Sequence, residues 1–438
     1  MIDKQLLKDS YQLHFGEAEP RFFTAPGRIN IIGEHTDYNG GFVLPGAVDK
    51  AITMAILPNG TEYVNLISID QDNAALFFRI GGPQPKEQWA SYFYGVIEEM
   101  RQRGAKVGGF NAVFGGDVPL GAGMSSSAAL ECCIGTALNT LFDLHFTREE
   151  LAKIGQMTEH HFIGVRCGIM DQFASLFGQK GHVVRLDCRS LEYQLVPFKP
   201  KGIEIVLIDT MVKHLLASSE YNVRRAQCEE GVAVIKKYLP HVELLRDVTI
   251  EELEAHRSEI DPMSFRRCAF VINENKRLMD ACAAMEKGDF VEVGKLIYAT
   301  HDGLSKEYGV SCDELDFIVD IAREHESVLG ARMMGGGFGG CVIALVKKEG
   351  VADYIADVKQ RYMVKYDKDP RVIEVEISDG ARECECHDRS RSHQAVQHRQ
   401  CRRLRSDPVK SGCLHRLDRR ARPPWQARRR RARLSQSG

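Results

Sequence analysis

The chain has 438 residues, of which 44% are apolar and 27% charged, as in a folded globular protein rather than a disordered or fibrous one. This length exceeds one compact core and indicates at least two domains. The sequence has no apolar run of roughly 18 residues and no apolar signal segment at its start, which excludes a membrane partner. We therefore expect a cytoplasmic protein whose thirteen cysteines are reduced thiols.

Charge is distributed unevenly along the chain. From Ala381 onward there are 17 of the 58 Lys and Arg residues and 5 of the 60 Asp and Glu residues, a net charge of +12. Residues 1–380 therefore have a net charge of −14. Beyond Arg382 the arginine-rich sequence has no apolar periodicity, and we expect residues 383–438 to be a disordered tail. It is either a nucleic-acid-binding extension or an out-of-frame, non-native addition. We favour the second and expect no nucleic-acid partner.

In chain order, the body alternates strand-like and helix-like segments. Alternating bulky residues and β-branched runs predict strands over residues 110–116, 203–210 and 341–348. Helical length and period predict helices over residues 128–142 and 314–330. The predicted class is therefore mixed, α/β (α+β).

A glycine- and serine-rich segment, GDVPLGAGMSSSAALECC, joins the strand at 110–116 to the helix at 128–142. Gly116 and Gly121 have Walker A spacing, but Ala122 stands where the lysine of that loop must be, which excludes the Walker mechanism. A glycine turn before a serine-rich helix start still forms an anion site, because free amide groups and the helix dipole converge there. The alternative is a serine-capped helix without a ligand.

Two further segments carry polar or glycine-rich patterns. APGRINIIGEHTDYNGG places Arg28, Glu34, His35 and Asp37 around an apolar strand. MMGGGFGGCVIALV contains a formal GxGxxG, but it follows a helix-like stretch and opens into a strand, the reverse of a dinucleotide-binding context. We interpret it as a flexible backbone turn.

Together the three segments resemble those of galactokinases in the GHMP family of sugar and metabolite kinases, over about residues 9–382. The resemblance implies a two-domain GHMP kinase fold with the active site in the inter-domain cleft. A boundary near residues 196–202 divides an N-terminal domain (1–200) from a C-terminal domain (201–382). The implied activity is ATP-dependent phosphorylation of D-galactose at its anomeric hydroxyl to galactose 1-phosphate, the first committed step of the Leloir pathway. The implied partners are galactose and ATP, bound by a monomer.

The resemblance also implies roles for individual residues. Asp171 would be the general base, and Arg28 would keep it ionised and stabilise transition-state charge. Mg²⁺ would be held by Ser127 and Glu159. The sugar would contact Glu34, His35, Thr36, Asp37, Gly168, Asp171, Asp187 and Tyr221. ATP would contact Ser68, Trp89, Gly121, Ala122, Gly123, Met124, Ser125, Ser126, Ser127, Gly336 and Gly337, with Trp89 and Tyr92 flanking the adenine.

Other interpretations stay open. Taken alone, Glu159 fits a solvated helix residue, His35 a satisfied turn histidine and Trp89 a core residue. The activity could instead be that of a related 1-kinase acting on N-acetylgalactosamine or arabinose, or the protein could be a galactose- and ATP-binding sensor. The intact Arg28, Asp171 and GAGMSSS disfavour the sensor, which could lose them without penalty.

Overall fold

The computed structural model describes residues 2–198, 200–212 and 217–385. Its helices are α1 (Lys4–Phe15), α2 (Gln88–Gln102), α3 (Ser126–Leu141), α4 (Arg148–Thr158), α5 (Met170–Phe177), α6 (Ala217–Ile235), α7 (Ile250–Ala255), α8 (Pro262–Glu286), α9 (Phe290–Asp302), α10 (Asp313–Glu324) and α11 (Val351–Tyr366). Its strands are β1 (Arg21–Asn30), β2 (Phe42–Val43), β3 (Pro45–Pro58), β4 (Tyr63–Ser68), β5 (Ala74–Arg79), β6 (Phe110–Gly116), β7 (His182–Asp187), β8 (Tyr193–Pro197), β9 (Ile203–Asp209), β10 (Val328–Met333), β11 (Cys341–Lys347), β12 (Arg371–Glu374) and β13 (Arg382–Cys384).

The N-terminal half is built on a six-stranded sheet of order β13-β1-β3-β6-β4-β5. Helices α3 and α5 contact β1 and β3, while α1 packs against β3 and β6 in a separate small apolar cluster. Strand β3 is buried along most of its length because both of its faces are covered. This sheet and its helices support both the glycine-rich loop before α3 and the segment after β1.

The C-terminal half contains a four-stranded antiparallel sheet of order β10-β11-β9-β12. The chain enters it between β8 and β9, within the region where the sequence predicted a boundary. Nevertheless, the two halves share apolar packing, because Leu207, Leu278 and Cys341 belong to the same buried cluster as the N-terminal core. The long helix α8 begins at Pro262, with the Asp261 carboxylate capping its first turn.

The predicted end of the body at Arg382 is wrong. Strand β13 pairs with β1, placing Cys384 opposite Phe22, and Glu383 accepts two hydrogen bonds from Arg21 at 2.6 and 2.7 Å. The C-terminal strand therefore completes the N-terminal sheet, and the ordered body extends to residue 385. The expectation of disorder for residues 386–438 falls outside the described residues.

The helix predicted over residues 314–330 is too long, because α10 ends at Glu324 and β10 starts at Val328. Val328 follows Ile321 by seven residues, so it also fits a helical repeat. Val328 is nevertheless in a strand, because β10 pairs with β11. The ten cysteines of the described residues are free thiols, and no helix in this part of the chain is long and apolar enough to cross a membrane.

Candidate active site

The glycine-rich loop before α3 takes its shape from left-handed backbone conformations. Gly121 and Gly123 have φ values of 76° and 71°, and Ser125, the residue before the helix, has φ 56°. A Cβ on Gly123 would lie 2.7 Å from the Met334 carbonyl oxygen. Glycine is required there because two backbone segments touch. The free amides at the start of α3 therefore remain available to an anion.

The third glycine-rich segment, residues 335–340, lies directly against this loop. A Cβ on Gly335 would approach the Gly123 carbonyl oxygen to 3.1 Å, and one on Gly340 would approach that of Gly121 to 3.3 Å. The segment connects β10 to β11, so it follows a strand rather than the helix-like stretch expected from sequence. It is a strand–turn–strand element packed on the glycine-rich loop.

Arg28 and Asp171 form an ion pair beside the loop. The pairing of β1 with β3 is irregular between Pro26 and Arg28, directly before this arginine. Its Nε donates to Asp171 Oδ1 at 2.8 Å, and its Nη1 donates to the Gly123 carbonyl. The Ser125 hydroxyl donates to Asp171 Oδ2 at 2.5 Å. Burial would lower the pKa of Arg28, but the charges of Asp171 and Glu34 raise it above its ordinary value, so the guanidinium stays charged.

A cavity of about 250 Å³ opens beside this pair and is lined by both halves of the chain. The predicted site residues that line it are Arg28, Glu34, His35, Asp37, Ser127, Glu159, Gly168, Asp171, Tyr221 and Gly336. Residues separated by as many as three hundred positions thus meet at one cavity between the two halves.

Glu34 is held from the C-terminal half. Its Oε1 accepts hydrogen bonds from both terminal nitrogens of Arg332 at 3.1 Å and from the Gly335 amide at 2.9 Å. Arg332 is fully buried and also donates to the carbonyls of Asn30 and Ile31. The position of Glu34 therefore depends on β10.

Asp37 lies against Gly168 on the cavity wall. A Cβ on Gly168 would come within 2.0 Å of Asp37 Oδ2, so only glycine leaves room for this carboxylate. Burial, and next the negative charge of Asp171, raise the pKa of Asp37 to about 7. The group can therefore exchange a proton or accept a hydrogen bond near neutral pH.

The side chains of His35 and Thr36 have different surroundings and different roles. The His35 ring packs against that of Tyr221 at 5.2 Å between centroids, and burial lowers its pKa to about 3, so it is neutral. Thr36 donates to the carbonyls of Gly33 and Phe42 at 3.1 and 2.6 Å. Thr36 is not among the residues lining the cavity, and its hydroxyl stabilises the turn.

Ser127 and Glu159 could hold a divalent cation. Burial raises the pKa of Glu159 to about 7, while a hydrogen bond from Ser127 lowers it and the charge of Asp171 raises it further. Four carboxylates line the cavity but only one Lys or Arg, Arg28, among the described residues. Within those residues, no group of three or more His, Cys, Asp or Glu side chains could hold a metal by itself. A carboxylate with a hydroxyl beside it offers the oxygen ligands that Mg²⁺ prefers, which fits a cation bound together with phosphate oxygens.

Like Thr36, the predicted contacts Asp187, Ser68 and Trp89 do not line the cavity, and neither do residues 121–126 and Gly337 of the two glycine-rich segments. Asp187 accepts from the Arg189 amide at 2.9 Å and faces Arg246 at 3.3 Å, in the turn after β7. Ser68 is buried at the end of β4. The ring of Trp89 packs against that of Phe114, with 5.7 Å between centroids, as expected for a core residue.

Sequence reasoning missed several lining residues: Gln88, Ile163, Val165, Cys167, Met170 and Gln172. Three of these adjoin Gly168 or Asp171 in sequence, a signal that could have identified them. Tyr92, proposed for the adenine, instead lines this cavity and hydrogen-bonds Ser127.

Comparison with known proteins agrees with this geometry. The galactokinase galactose-binding signature matches residues 9–58, the GHMP kinases N terminal domain 91–179 and the GHMP kinases C terminal model 281–364. Galactokinase of Thermotoga neapolitana is 42% identical over 356 residues, covering 81% of this chain and 98% of that protein. Galactokinase of Roseiflexus sp. is 36% identical over 380 residues, covering 87% and 97%.

The crystal structure of Lactococcus lactis galactokinase complexed with galactose superimposes with a TM-score of 0.84 at 34% identity, covering 87% of this chain and 99% of that one. Mevalonate kinase of Methanococcus jannaschii gives a TM-score of 0.58 at 18% identity, covering 83% of this chain and all of that one, which shows a shared fold alone.

Proposed function

The chain belongs to the galactokinases of the GHMP kinase family, and from this premise we propose that it transfers the γ-phosphoryl group of ATP to the anomeric hydroxyl of D-galactose. The observation that carries the proposal is the Arg28–Asp171 pair, which links an arginine of the galactose-binding signature to a carboxylate that Ser125 of the glycine-rich loop also bonds. It supports the proposal because an acid–base group lies on the wall of a polar cavity and next to the proposed anion site.

Asp171 is the proposed general base. Arg28 and Ser125 each hold one of its oxygens, which fixes the plane of the carboxylate. As the anomeric oxygen bonds to the γ-phosphorus, its proton passes to Asp171, the bond from phosphorus to the bridging oxygen breaks, and ADP leaves. Such a base contributes about 10²–10⁴-fold in rate.

Arg28 and the glycine-rich loop oppose the negative charge of the transferring group. The guanidinium is nearly fully buried and charged, so its field is weakly screened. The amides at the start of α3, together with the positive end of the helix dipole, receive the phosphate oxygens. These groups stabilise the transition state without moving.

Ser127 and Glu159 are the proposed Mg²⁺ ligands. When bound, the ion neutralises charge on the β- and γ-phosphates. Glu159 is buried and Ser127 hydrogen-bonds it, so the pair is oriented in advance. A cation near Glu159 would favour its ionised form against the effect of burial.

Glu34, His35, Asp37 and Tyr221 are the proposed sugar contacts. Each sugar hydroxyl that loses its partner in a closed cavity costs free energy. A sugar with the opposite configuration at one carbon would leave such groups unpaired, which gives the site its selectivity.

The test is a coupled ADP-release assay with galactose, glucose, arabinose and N-acetylgalactosamine, with and without Mg²⁺. We expect the highest kcat/KM with galactose and a requirement for the divalent ion. Higher kcat/KM with N-acetylgalactosamine or arabinose would reassign the substrate, and binding of galactose and ATP without ADP release would indicate a sensor.

We also propose that the enzyme acts as a cytoplasmic monomer. Residues of a single chain complete the cavity, and the ten described cysteines are free thiols. Light scattering during size-exclusion chromatography should give the mass of one chain; a stable dimer would contradict this part of the proposal.

A further inference from the structure

An irregular segment, residues 164–168, forms part of the cavity wall and leads into α5. Val165, Cys167 and Gly168 line the cavity, and the glycine leaves room for the carboxylate of Asp37. The peptide groups of a segment outside helices and strands need hydrogen-bond partners from elsewhere in the fold. The position of this wall therefore depends on the groups that bind its backbone.

Hydrogen-bond partners for this segment come from α6 in the C-terminal half. The side-chain oxygen of Asn222 accepts from the Arg166 amide at 3.1 Å, and its side-chain nitrogen donates to the Gly164 carbonyl at 3.2 Å. Arg225 donates through Nη1 to the Arg166 carbonyl at 2.9 Å. Because a peptide N–H only donates and a carbonyl only accepts, these bonds fix the orientation of both side chains. Helix α6 thus takes the place that a neighbouring strand would have beside residues 164–168.

Glu229 joins the two arginines of this contact. Its Oε1 accepts hydrogen bonds from Arg166 at 2.8 Å and from Arg225 at 3.0 Å. Asn222, Arg225 and Glu229 are spaced by three and four residues, so they lie on one face of α6. Tyr221 directly precedes this set and lines the cavity. The same helix therefore presents one residue to the cavity and three residues to its wall.

Arg225 also reaches the segment at residues 25–41. Its guanidinium carbon lies 5.9 Å from the centroid of the Tyr38 ring, within range of a cation–π contact. The side chain of Arg225 is 21% exposed, so water screens its contacts less than it screens the ion pairs of exposed arginines. One side chain thus contacts two segments that contribute lining residues to the cavity.

We propose that Asn222, Arg225 and Glu229 are positioning residues that hold residues 164–168 as the cavity wall and thereby support galactose binding. The inference rests on the proposed sugar-kinase function of the same cavity. When these bonds are lost, the wall can move, and the close fit around the carboxylate of Asp37 loosens. The galactose hydroxyls then meet their partners at less favourable distances, which lowers the affinity.

The transfer step should be affected less than sugar binding. Asp171 lies three residues after the segment, but Arg28 and Ser125 hold its two oxygens without the help of α6. The glycine-rich loop before α3 takes its shape from its own backbone and from contact with residues 335–340. We therefore expect a change in KM for galactose with little change in kcat or in KM for ATP.

The first test measures the segment itself. Hydrogen–deuterium exchange of the full-length protein is followed by mass spectrometry in the absence of ligands. In Asn222→Ala and Arg225→Ala, peptides that contain residues 164–168 should exchange about 3- to 10-fold faster than in the wild type, because the segment opens more easily. Unchanged exchange of this segment in both variants would overturn the proposal. The result does not depend on turnover, so it is distinguishable from failure of the proposed function.

The second test separates sugar binding from catalysis. Arg225→Ala should raise KM for galactose about 3- to 10-fold and Asn222→Ala about 2- to 5-fold, with kcat and KM for ATP within about 2-fold of the wild type. Glu229→Gln should have the smallest effect, because this side chain is half-exposed and its ion pairs are screened. Arg225→Lys, which keeps the charge and a donor, should give an intermediate KM for galactose.

The matched control is Arg361→Ala. Arg361 is a half-exposed arginine of α11 that pairs with Glu324, and it does not line the cavity. Its loss should leave both KM values and the exchange of residues 164–168 unchanged. Folding of each variant is verified by its thermal midpoint. Wild-type KM for galactose in folded Asn222→Ala and Arg225→Ala would contradict the proposal, and so would an equal rise in both KM values.

Discussion

The glycine-rich loop at residues 116–127 and the sugar-binding segment at residues 25–41 reach their shapes in different ways. The first is held by left-handed backbone conformations and by contact with another glycine-rich turn. The second is almost entirely buried and is fixed by distant side chains: Glu274 accepts a hydrogen bond from the Gly33 amide, and Asn275 accepts one from the amide of Phe42, directly after the segment, both at 2.9 Å. Backbone conformation thus contributes more to the proposed anion site, and side chains distant in sequence contribute more to the proposed sugar site.

From this difference we expect sugar recognition to be more sensitive than nucleotide binding to how the two halves pack, although the glycine-rich loop also contacts residues 335–340. Arg332 illustrates the dependence, because one side chain from β10 fixes two carbonyls and a carboxylate of the sugar-binding segment. Substitutions at long-range contacts should therefore separate the two binding events.

The largest effect is expected where the two regions meet, at Asp171. Asp171→Asn removes the base but keeps the shape, so kcat should fall about 10²–10⁴-fold while calorimetry still shows galactose and ATP binding. Asp187→Asn, a matched aspartate outside the cavity lining, should leave kcat unchanged. Near-normal turnover of Asp171→Asn would refute the assignment of the base.

Gly168→Ala should damage the sugar site and spare the nucleotide site. The new Cβ would collide with the Asp37 carboxylate, so KM for galactose should rise about 10-fold or more, with KM for ATP preserved. Gly135→Ala is the control, because a Cβ there meets only ordinary contacts of 3.5 Å or more. A parallel loss of ATP affinity would contradict the separation of the two regions.

Arg332→Lys tests the long-range support of the sugar-binding segment. A lysine ammonium cannot reproduce the several N–H groups that the guanidinium donates to Glu34 and the two carbonyls. The thermal midpoint should therefore fall, and galactose affinity should drop about 3- to 10-fold. ATP affinity should change less. The control is Arg361→Lys, a half-exposed arginine paired with Glu324 at the surface. Unchanged galactose affinity of folded Arg332→Lys would show that Glu34 needs no such support.

The raised pKa of Asp37 predicts a pH-dependent stability in the absence of ligands. The pKa rises from 3.8 to about 7 on folding, so the folded state holds a proton that the unfolded chain releases. The free energy of unfolding should therefore decline between about pH 4 and pH 7, by on the order of 1–2 kcal/mol because Asp37 is only partly buried. Urea titrations should show a flatter profile for Asp37→Asn; an identical slope would contradict the shift.

The smallest effects concern the C-terminus. A chain ending at Glu385 should keep its specific activity and thermal midpoint, because it retains β13. A chain ending at Ala381 loses the strand and the Arg21–Glu383 pair, and its midpoint should fall by a few degrees. Loss of activity in the chain that ends at Glu385 would assign a role to residues 386–438.

The sequence predicted those parts of the fold and of the candidate site that depend on neighbouring residues in the chain. Strand 110–116 and the helix after it were found to within two residues, because an apolar alternation and a breaker-free run are local signals. Asp171 and Arg28 were assigned through motif resemblance, and they do meet. The assignment of Asp187 to the sugar stays a prediction, because an aspartate that ends a strand can stabilise a turn, as its bond from the Arg189 amide does, or bind a ligand.

The sequence by itself determined the left-handed turns, the helix start with its free amides and the mixed fold class, because glycine conformations and apolar periodicity act over a few residues. Only the tertiary structure decided that β13 completes the first sheet, that Arg332 holds Glu34 and that Glu274 accepts a hydrogen bond from the Gly33 amide. These contacts join residues that are far apart in the chain, and their free energy appears only when two packed surfaces exclude water from the groups between them.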